Sequence, residues 1–374
     1  MEQDYLVQLL ELLRQQNGGV VLQQNGKSQA VVLNIERYYQ LLAKAPDEEL
    51  KTAPQTILVT GGAGYIGSYC AKRLLKHGYQ VIVLDHHLTE QKQKTIPLGA
   101  TIVEGDYGDQ VLLREVFASN QIDAVFHLAS SIEVPESFAH PDLYFLNNVA
   151  KSAGLFSVMS EFKVKRLLFS STCGVYGEGQ GFPLKETDPI KPMNPYAHSK
   201  ALVEELLQYL AYWDDFKITV LRSFNAAGCD YESKITSRHD SALVPKIIKV
   251  LTGEESQLVI AGDKYPTIDG TALRDFIHVS DIARAFHLAL ESKQQEPYEV
   301  YNVGSGSGYT VKQMFDTAVE VTGKIAPMII GPERAGDIPV SVADTTKIKT
   351  NLGFVTKYSN PETIFKTTWA SISN

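Results

Sequence analysis

Met193 to Lys200 reads MNPYAHSK and sets Tyr196 four positions before Lys200. On a helix that spacing puts a phenol and an ammonium on one face, one turn apart. The local sequence predicts the helix. Asn194 is a favourable N-cap, Pro195 suits the first helical position, and ALVEELLQYLAYW continues the helical apolar spacing to Trp213. An unperturbed phenol, with a pKa of about 10, is a poor base at neutral pH. A fixed ammonium and the positive end of a helix both favour the phenolate. The expectation is therefore a Tyr196 of lowered pKa that exchanges protons with a substrate. Alone, the pair reads more readily as a surface tyrosine beside a solvated lysine, so the surrounding elements must decide.

Those elements begin at Thr56. TILVT is a short buried strand, and GGAGYIG follows it with Gly61, Gly64 and Gly67 at three-residue spacing. A helix is expected over 65–77, then a strand over 80–84 ending at Asp85. Glycines in this place permit a tight turn and close approach of backbone to a pyrophosphate, which the helix N-terminus then faces. Asp85 stands where an acid would hold the adenosine ribose hydroxyls and repel a 2′-phosphate, so NAD is expected rather than NADP. Tyr65, Ile66 and Tyr107 join the expected cofactor contacts. Further strands are expected at 101–103, 124–128, 166–170 and 218–221 with helices between them. That alternation predicts an α/β fold with a doubly wound parallel Rossmann sheet. Asp106 closes the third strand, where it would accept from the adenine amino group. Leu128, Ala129 and Ser130 close the fourth, where small residues let the cofactor pass. His127 reads as a satisfied buried histidine, because nothing pairs it with a nucleophile.

Bulk properties exclude several classes. The 374 residues carry a net charge of −8 with acids and bases interspersed, so no basic stripe for nucleic acid exists. No apolar run approaches the roughly 20 residues of a membrane helix. The acidic start MEQDYLVQLL lacks the regions of a signal peptide. Cys70, Cys173 and Cys229 are odd in number and widely spaced, which fits neither a disulfide framework nor a metal site. A cytoplasmic protein without a metal is expected.

The front end is of another kind. Leu6, Leu9, Leu10 and Leu13 give a helix over 5–16 one apolar face, and two strands flank Asn25-Gly26, a strong hairpin signal. A short helix is expected over 35–42. GGVVLQQNGKSQAVVLNIERYYQLL resembles the core of the Phd/YefM antitoxin family. Acids outnumber bases over the first fifty residues, so an oligomerisation or packing role is expected rather than phosphate contacts. The expected division is a small α+β module over 1–45, a polar linker over 46–55, the Rossmann domain over 56–226, and a smaller C-terminal α/β substrate domain over 227–374, part of which returns to the sheet.

GGAGYIGS, HLASS, FLNNV, FSSTCGVYG, NPYAHSK, RSFNAAGCD, YPTIDGTALRDFIHVSDIARA, YNVGSGSGYTV and PERAGD follow one another in this order. Together they resemble the extended short-chain dehydrogenase/reductase family and, within it, the UDP-glucose 4-epimerases. The resemblance runs from about Gln55 to the C-terminus. It implies a bound NAD and a sugar oxidised at C4 to a transient ketone, then reduced from its other face. Tyr196 would take the 4-hydroxyl proton, Thr172 would steady it, and Lys200 would bond the nicotinamide ribose. Asn147 and Phe224 would touch the cofactor. Asn225, Leu243, Arg274, Phe276, Arg334 and Asp337 would hold the UDP part of the substrate. Ser341, small where some relatives carry a bulky aromatic, would leave room for an N-acetyl group. The family also implies a homodimer, through helices over 141–161 and 195–213.

Departures bear on the substrate more than on the reaction. Ala261 stands where an aromatic usually covers the uracil, Ala242 where His or Asn is usual, Ile132 where a polar residue is common, and Ser223 where the family has tyrosine. A sugar 4,6-dehydratase needs an Asp-Glu pair after the fifth strand, and Cys173-Gly174 stands there instead. An epimerase of UDP-glucuronate or a UDP-pentose stays open, as does a non-catalytic nucleotide-sugar sensor. For the front end, a chain starting at Pro54 is expected to show fewer subunits than the full chain in light scattering; an unchanged subunit count would sink the oligomerisation role.

Overall fold

A computed structural model describes residues 19–24, 27–33, 55–86, 88–89, 93–179, 181–230, 235–237, 242–333 and 338–372. The chain divides into two units, Met1–Lys51 and Thr52–Asn374. In the first, β1 (Gly19–Gln24) and β2 (Lys27–Leu33) pair antiparallel with Gly19 opposite Leu33. These are the two strands expected around Asn25-Gly26. The turn itself, both expected helices and nearly all of the linker lie outside the described residues.

The second unit is built on a seven-stranded sheet in the order β12-β8-β7-β6-β3-β4-β5. Its strands are β3 (Thr56–Thr60), β4 (Gln80–Asp85), β5 (Thr101–Glu104), β6 (Ala124–His127), β7 (Arg166–Thr172), β8 (Lys217–Ser223) and β12 (Tyr298–Val303). Every neighbouring pair is parallel. Order reverses between β3 and β6, which is where such sheets open a crevice at their carboxyl ends. Successive side chains of a strand face opposite sides, and a parallel sheet buries both. Ile57 and Val59 accordingly enter one core with α1 (Tyr65–Lys76) and α6 (Val279–Glu291), while Leu58 enters the other. That second core packs α2 (Gln110–Ser119), α3 (Lys151–Glu161) and α4 (Pro195–Trp213) against the sheet.

The helix carrying Tyr196 and Lys200 forms as expected. Asn194 caps it, its Oδ1 accepting from the Ala197 amide at 2.8 Å, and Pro195 opens the first turn. One buried ion pair ties it to the sheet. Arg222 of β8 donates to Glu204 at 2.6 Å from one terminal nitrogen and at 3.1 Å from Nε, and Ser171 donates to the same carboxylate. Removing one partner from such a pair costs about 3–5 kcal/mol, because the other charge stays buried. The helix expected over 141–161 is not uniform. Phe145–Ala150 winds as a π-helix between Pro141–Tyr144 and α3, an irregularity that gathers at functional sites.

After β8 the chain leaves the sheet. β9 (Asn225–Ala227) and β13 (Gly308–Thr310) pair with β11 (Leu273–His278), which also takes β15 (Val340–Ser341). β10 (Leu258–Ala261) pairs in parallel with β14 (Met328–Gly331). α5 (Leu243–Thr252), α7 (Val311–Thr322) and α8 (Pro361–Ile372) close a third core over these strands. Among the described residues no helix is long and apolar enough to cross a membrane.

The turn after β3 leaves no space for side chains. A methyl added at Gly67 would sit 2.1 Å from the Gly61 carbonyl oxygen. Gly67→Ala is therefore expected to cost about 1–3 kcal/mol, read as a lower midpoint in urea unfolding; an unchanged midpoint would contradict this packing.

Candidate active site

A cleft of about 730 Å³ opens at the carboxyl ends of β3, β6, β7 and β8 and continues between α5, β10 and β11. Its walls bring together nearly all the expected site residues. Gly61, Gly64, Tyr65, Ile66, Gly67, Asp85 and Tyr107 line one end, and Leu128, Ala129, Ser130 and Asn147 the next stretch. Thr172, Tyr196, Lys200 and Phe224 follow, then Asn225, Leu243, Arg274 and Phe276.

Three side chains form the chemical centre. Tyr196 sits in the first turn of α4 and is hydrogen-bonded by the Thr172 hydroxyl, whose oxygen also accepts from the Gly174 amide at 3.1 Å. Lys200, one turn on, is buried, donates to the Ser170 carbonyl at 2.9 Å and lies over the Phe169 ring. The expectation of a lowered tyrosine pKa is corrected here. Burial pushes the Tyr196 phenol up to about 12, with only partial relief from Thr172. Burial likewise pushes the Lys200 amine down to about 7, against the pull of Glu204. Lys200 is buried and Tyr196 half-buried, and desolvation disfavours the charged form of each. The amine is directed at a carbonyl and a ring face.

The cofactor end fits a dinucleotide. Gly64 is the N-cap of α1 and offers no side-chain cap, so the first amides of the helix remain available to an anion. A methyl at Gly61 would lie 2.7 Å from the Ala129 amide nitrogen, so glycine keeps the turn against the loop after β6. Asp85 ends β4 at the cleft edge, accepting from the amides of Ala63 at 3.0 Å and His86 at 2.8 Å. Ser223, on the wall beside Phe224, has a buried hydroxyl without a hydrogen-bond partner among the described residues, as expected of a group completed by a ligand. Asp106 is the exception. It does not line the cleft; its carboxylate is tied to Lys151 at 2.5 Å and to the Gly108 amide at 2.7 Å. His127 is satisfied between Thr60 and Ser152, and burial pushes its pKa down to about 3.

At the far end Arg274 donates to the backbone carbonyls of Leu273 and Pro339, and Asn225 to that of Asp275 at 2.9 Å. The two acids near Arg274 in sequence are engaged elsewhere, Asp269 with Thr271 and Thr310, Asp275 with Ser305, Gly306 and Ala343. Ser341 lies behind the wall, in register with Arg274 and 4.0 Å from the Cys173 sulfur. Arg334 and Asp337 lie outside the described residues. Two residues escaped the sequence reading. Lys246 lines the cleft three positions after Leu243, and that helical spacing was the available signal. Asn148 accepts from the Ser131 amide at 2.8 Å and donates to the Ser131 carbonyl and the Ser199 hydroxyl, joining the loop after β6 to α4. Its neighbour Asn147 was the more visible of the pair, and only the winding of the π-helix tells them apart.

Residues 57–304 match the model of the NAD dependent epimerase/dehydratase family. A UDP-glucose 4-epimerase of Lacticaseibacillus casei is 38% identical over 317 residues, covering 84% of this chain and 96% of the relative. A UDP-glucose 4-epimerase from Stenotrophomonas maltophila, solved with NAD and formylated UDP-arabinopyranose, superposes with a TM-score of 0.80 at 34% identity, covering 84% of this chain and 97% of the other. The UDP-Glc/GlcNAc 4-epimerase of Campylobacter jejuni gives a TM-score of 0.75 at 35% identity, covering 85% and 98%. A glycine turn at the switch point, a tyrosine–lysine pair in the wall of the same cleft and this breadth of likeness have one explanation, that the chain belongs to the NAD dependent epimerase/dehydratase family.

Proposed function

We propose that this chain inverts C4 of a UDP-hexose, interconverting UDP-glucose and UDP-galactose through a transient 4-keto sugar. The observation that carries the reading is the convergence of Tyr196, Thr172 and the buried Lys200 in the wall of a cleft whose other end is a glycine turn fitted to a dinucleotide. When bound, NAD supplies a reversible hydride acceptor and a positive ring charge. The glycine turn, the open end of α1 and Asp85 would hold it, with Tyr65, Ile66, Tyr107, Leu128, Ala129, Ser130, Asn147 and Phe224 around it.

The protein's own work is proton handling and restraint. Tyr196 takes the proton of the 4-hydroxyl as hydride leaves C4, and returns it once the 4-keto sugar has presented its other face. Thr172 holds the phenol in line. Lys200 bonds the nicotinamide ribose and supplies positive charge one turn below the phenol. Arg274, Asn225 and Leu243 grip the diphosphate end during that turn, and Phe276 flanks the base. Guanidinium forks suit such a grip. By family likeness Arg334 and Asp337 complete it. The cleft keeps the ketone from water until it is reduced.

Ser341 is small and pairs with Arg274 of the cleft wall, which supports acceptance of UDP-N-acetylglucosamine; the Campylobacter jejuni relative carries that sugar in its name. The formylated UDP-arabinopyranose in the Stenotrophomonas maltophila structure favours a UDP-pentose as an additional substrate. We also place the chain in the cytoplasm as a homodimer. Three free cysteines support a reducing compartment. The exposed Tyr209, Tyr212 and Trp213 of α4, with Leu143 and Leu146, supply an apolar helical face for a second copy.

Two outcomes test the reading. Tyr196→Phe is expected to lower the conversion of UDP-galactose in a coupled assay by roughly 10²–10⁴-fold, and conversion at the parent rate would refute it. Ser341→Tyr is expected to lose activity on UDP-N-acetylglucosamine while keeping that on UDP-glucose; a gain on the acetylated sugar would contradict the role of this position.

A further inference from the structure

Tyr196, Lys200 and Glu204 follow one another at four-residue intervals on α4, so they share a face of the helix. Lys200 and Glu204 are 3% and 4% exposed. Glu204 is not directed at the lysine. It takes the fork of Arg222 and the hydroxyl of Ser171, and Arg222 is itself fixed by Tyr176, which donates to Asn302 at 2.6 Å. The carboxylate is thus locked in place beneath the amine by partners on β7 and β8. We propose that Glu204 is a positioning residue for the reaction, keeping Lys200 cationic from behind while Arg222 and Ser171 hold it in register.

This rests on the reading of Tyr196 and Lys200 as the reacting pair. A charge acts strongly on a neighbour when both are out of water. Among the described residues, the surroundings of Lys200 leave Glu204 as the balancing anion. From β6 it meets His127, held neutral by burial. From β7 it meets the Ser170 carbonyl and the Phe169 ring. β8 contributes Arg222, whose charge is of the wrong sign, and β12 contributes the Tyr298 hydroxyl, which donates to the Glu204 carbonyl at 3.4 Å. Over the helical stretch 134–161, Tyr144 faces the Tyr196 ring and Asn148 faces Ser199. On α4 itself Tyr196 is a neutral phenol. The Glu204 carboxylate, one turn on along α4, favours the protonated amine, against a burial that pushes the Lys200 pKa down to about 7.

The test is a direct titration of Lys200. The full chain is labelled with 13C at the lysine ε-carbon, and the Lys200 resonance is assigned by its loss in Lys200→Arg. Glu204→Gln and the charge-free double variant Glu204→Gln/Arg222→Met are compared with the parent. The double variant guards against misfolding, because it leaves no charge buried alone. The midpoint is expected to fall by roughly one pH unit in the double variant, and at least as far in Glu204→Gln, where the Arg222 charge remains. Glu204→Asp should recover part of the shift. In UDP-galactose conversion the pH profile should move in the same direction. A Lys200 midpoint unchanged in both folded variants, or raised, would overturn the proposal. The titration needs no substrate, so a parent protein without epimerase activity would count against the function while this measurement still decided the role of Glu204.

Discussion

A buried amine and a half-buried phenol share one helix face at the end of a parallel sheet, and the rest of the second unit serves that placement. Burial alone works against both groups: it leaves the lysine partly uncharged near neutral pH and the tyrosine reluctant to ionise. The protein offsets this locally. Thr172 bonds the phenol, the Ser170 carbonyl accepts from the amine, and the Asn194 cap fixes the turn on which the tyrosine sits. A pair poised in this way responds to any charge brought into the cleft, because charges act more strongly on one another where solvent is partly displaced. Reactivity would then depend on ligand occupancy, which suits chemistry passing through a ketone that must not escape.

Much of this was legible in the sequence because the signals were local. The cap and proline at Asn194-Pro195, the three glycines after a run of buried strand residues, and the acid at the end of the next strand each act within a few positions. A parallel sheet follows from their alternation with helices. The cleft then collects residues from 61 to 276 because many of them close a strand or open a helix on the same edge. Knowing the sheet order is nearly enough to predict the lining.

What stayed hidden depends on geometry that spacing does not encode. The direction of the tyrosine's pKa was misread because burial outweighs a charged neighbour that is aimed elsewhere, and neither depth nor aim appears in a motif. Asp106 was expected at the cofactor, yet Lys151, 45 positions on, claims its carboxylate. Ser341 reached its place through β-pairing with Arg274, a contact across the two halves of the C-terminal region. Asn148 was passed over for its neighbour because only an irregular helix turns both side chains towards the loop after β6.

That irregular helix has a consequence for how the fold can change. Phe145–Ala150 carries wider turns than the regular helix on either side, so one residue is absorbed without advancing the phase. Excising a single residue there would let the backbone relax into ordinary α-helical bonding. The helix on either side would keep its phase, and what would be lost is the wide winding that turns both Asn147 and Asn148 towards Ser131. Length in this segment is therefore constrained together with the two asparagines it presents.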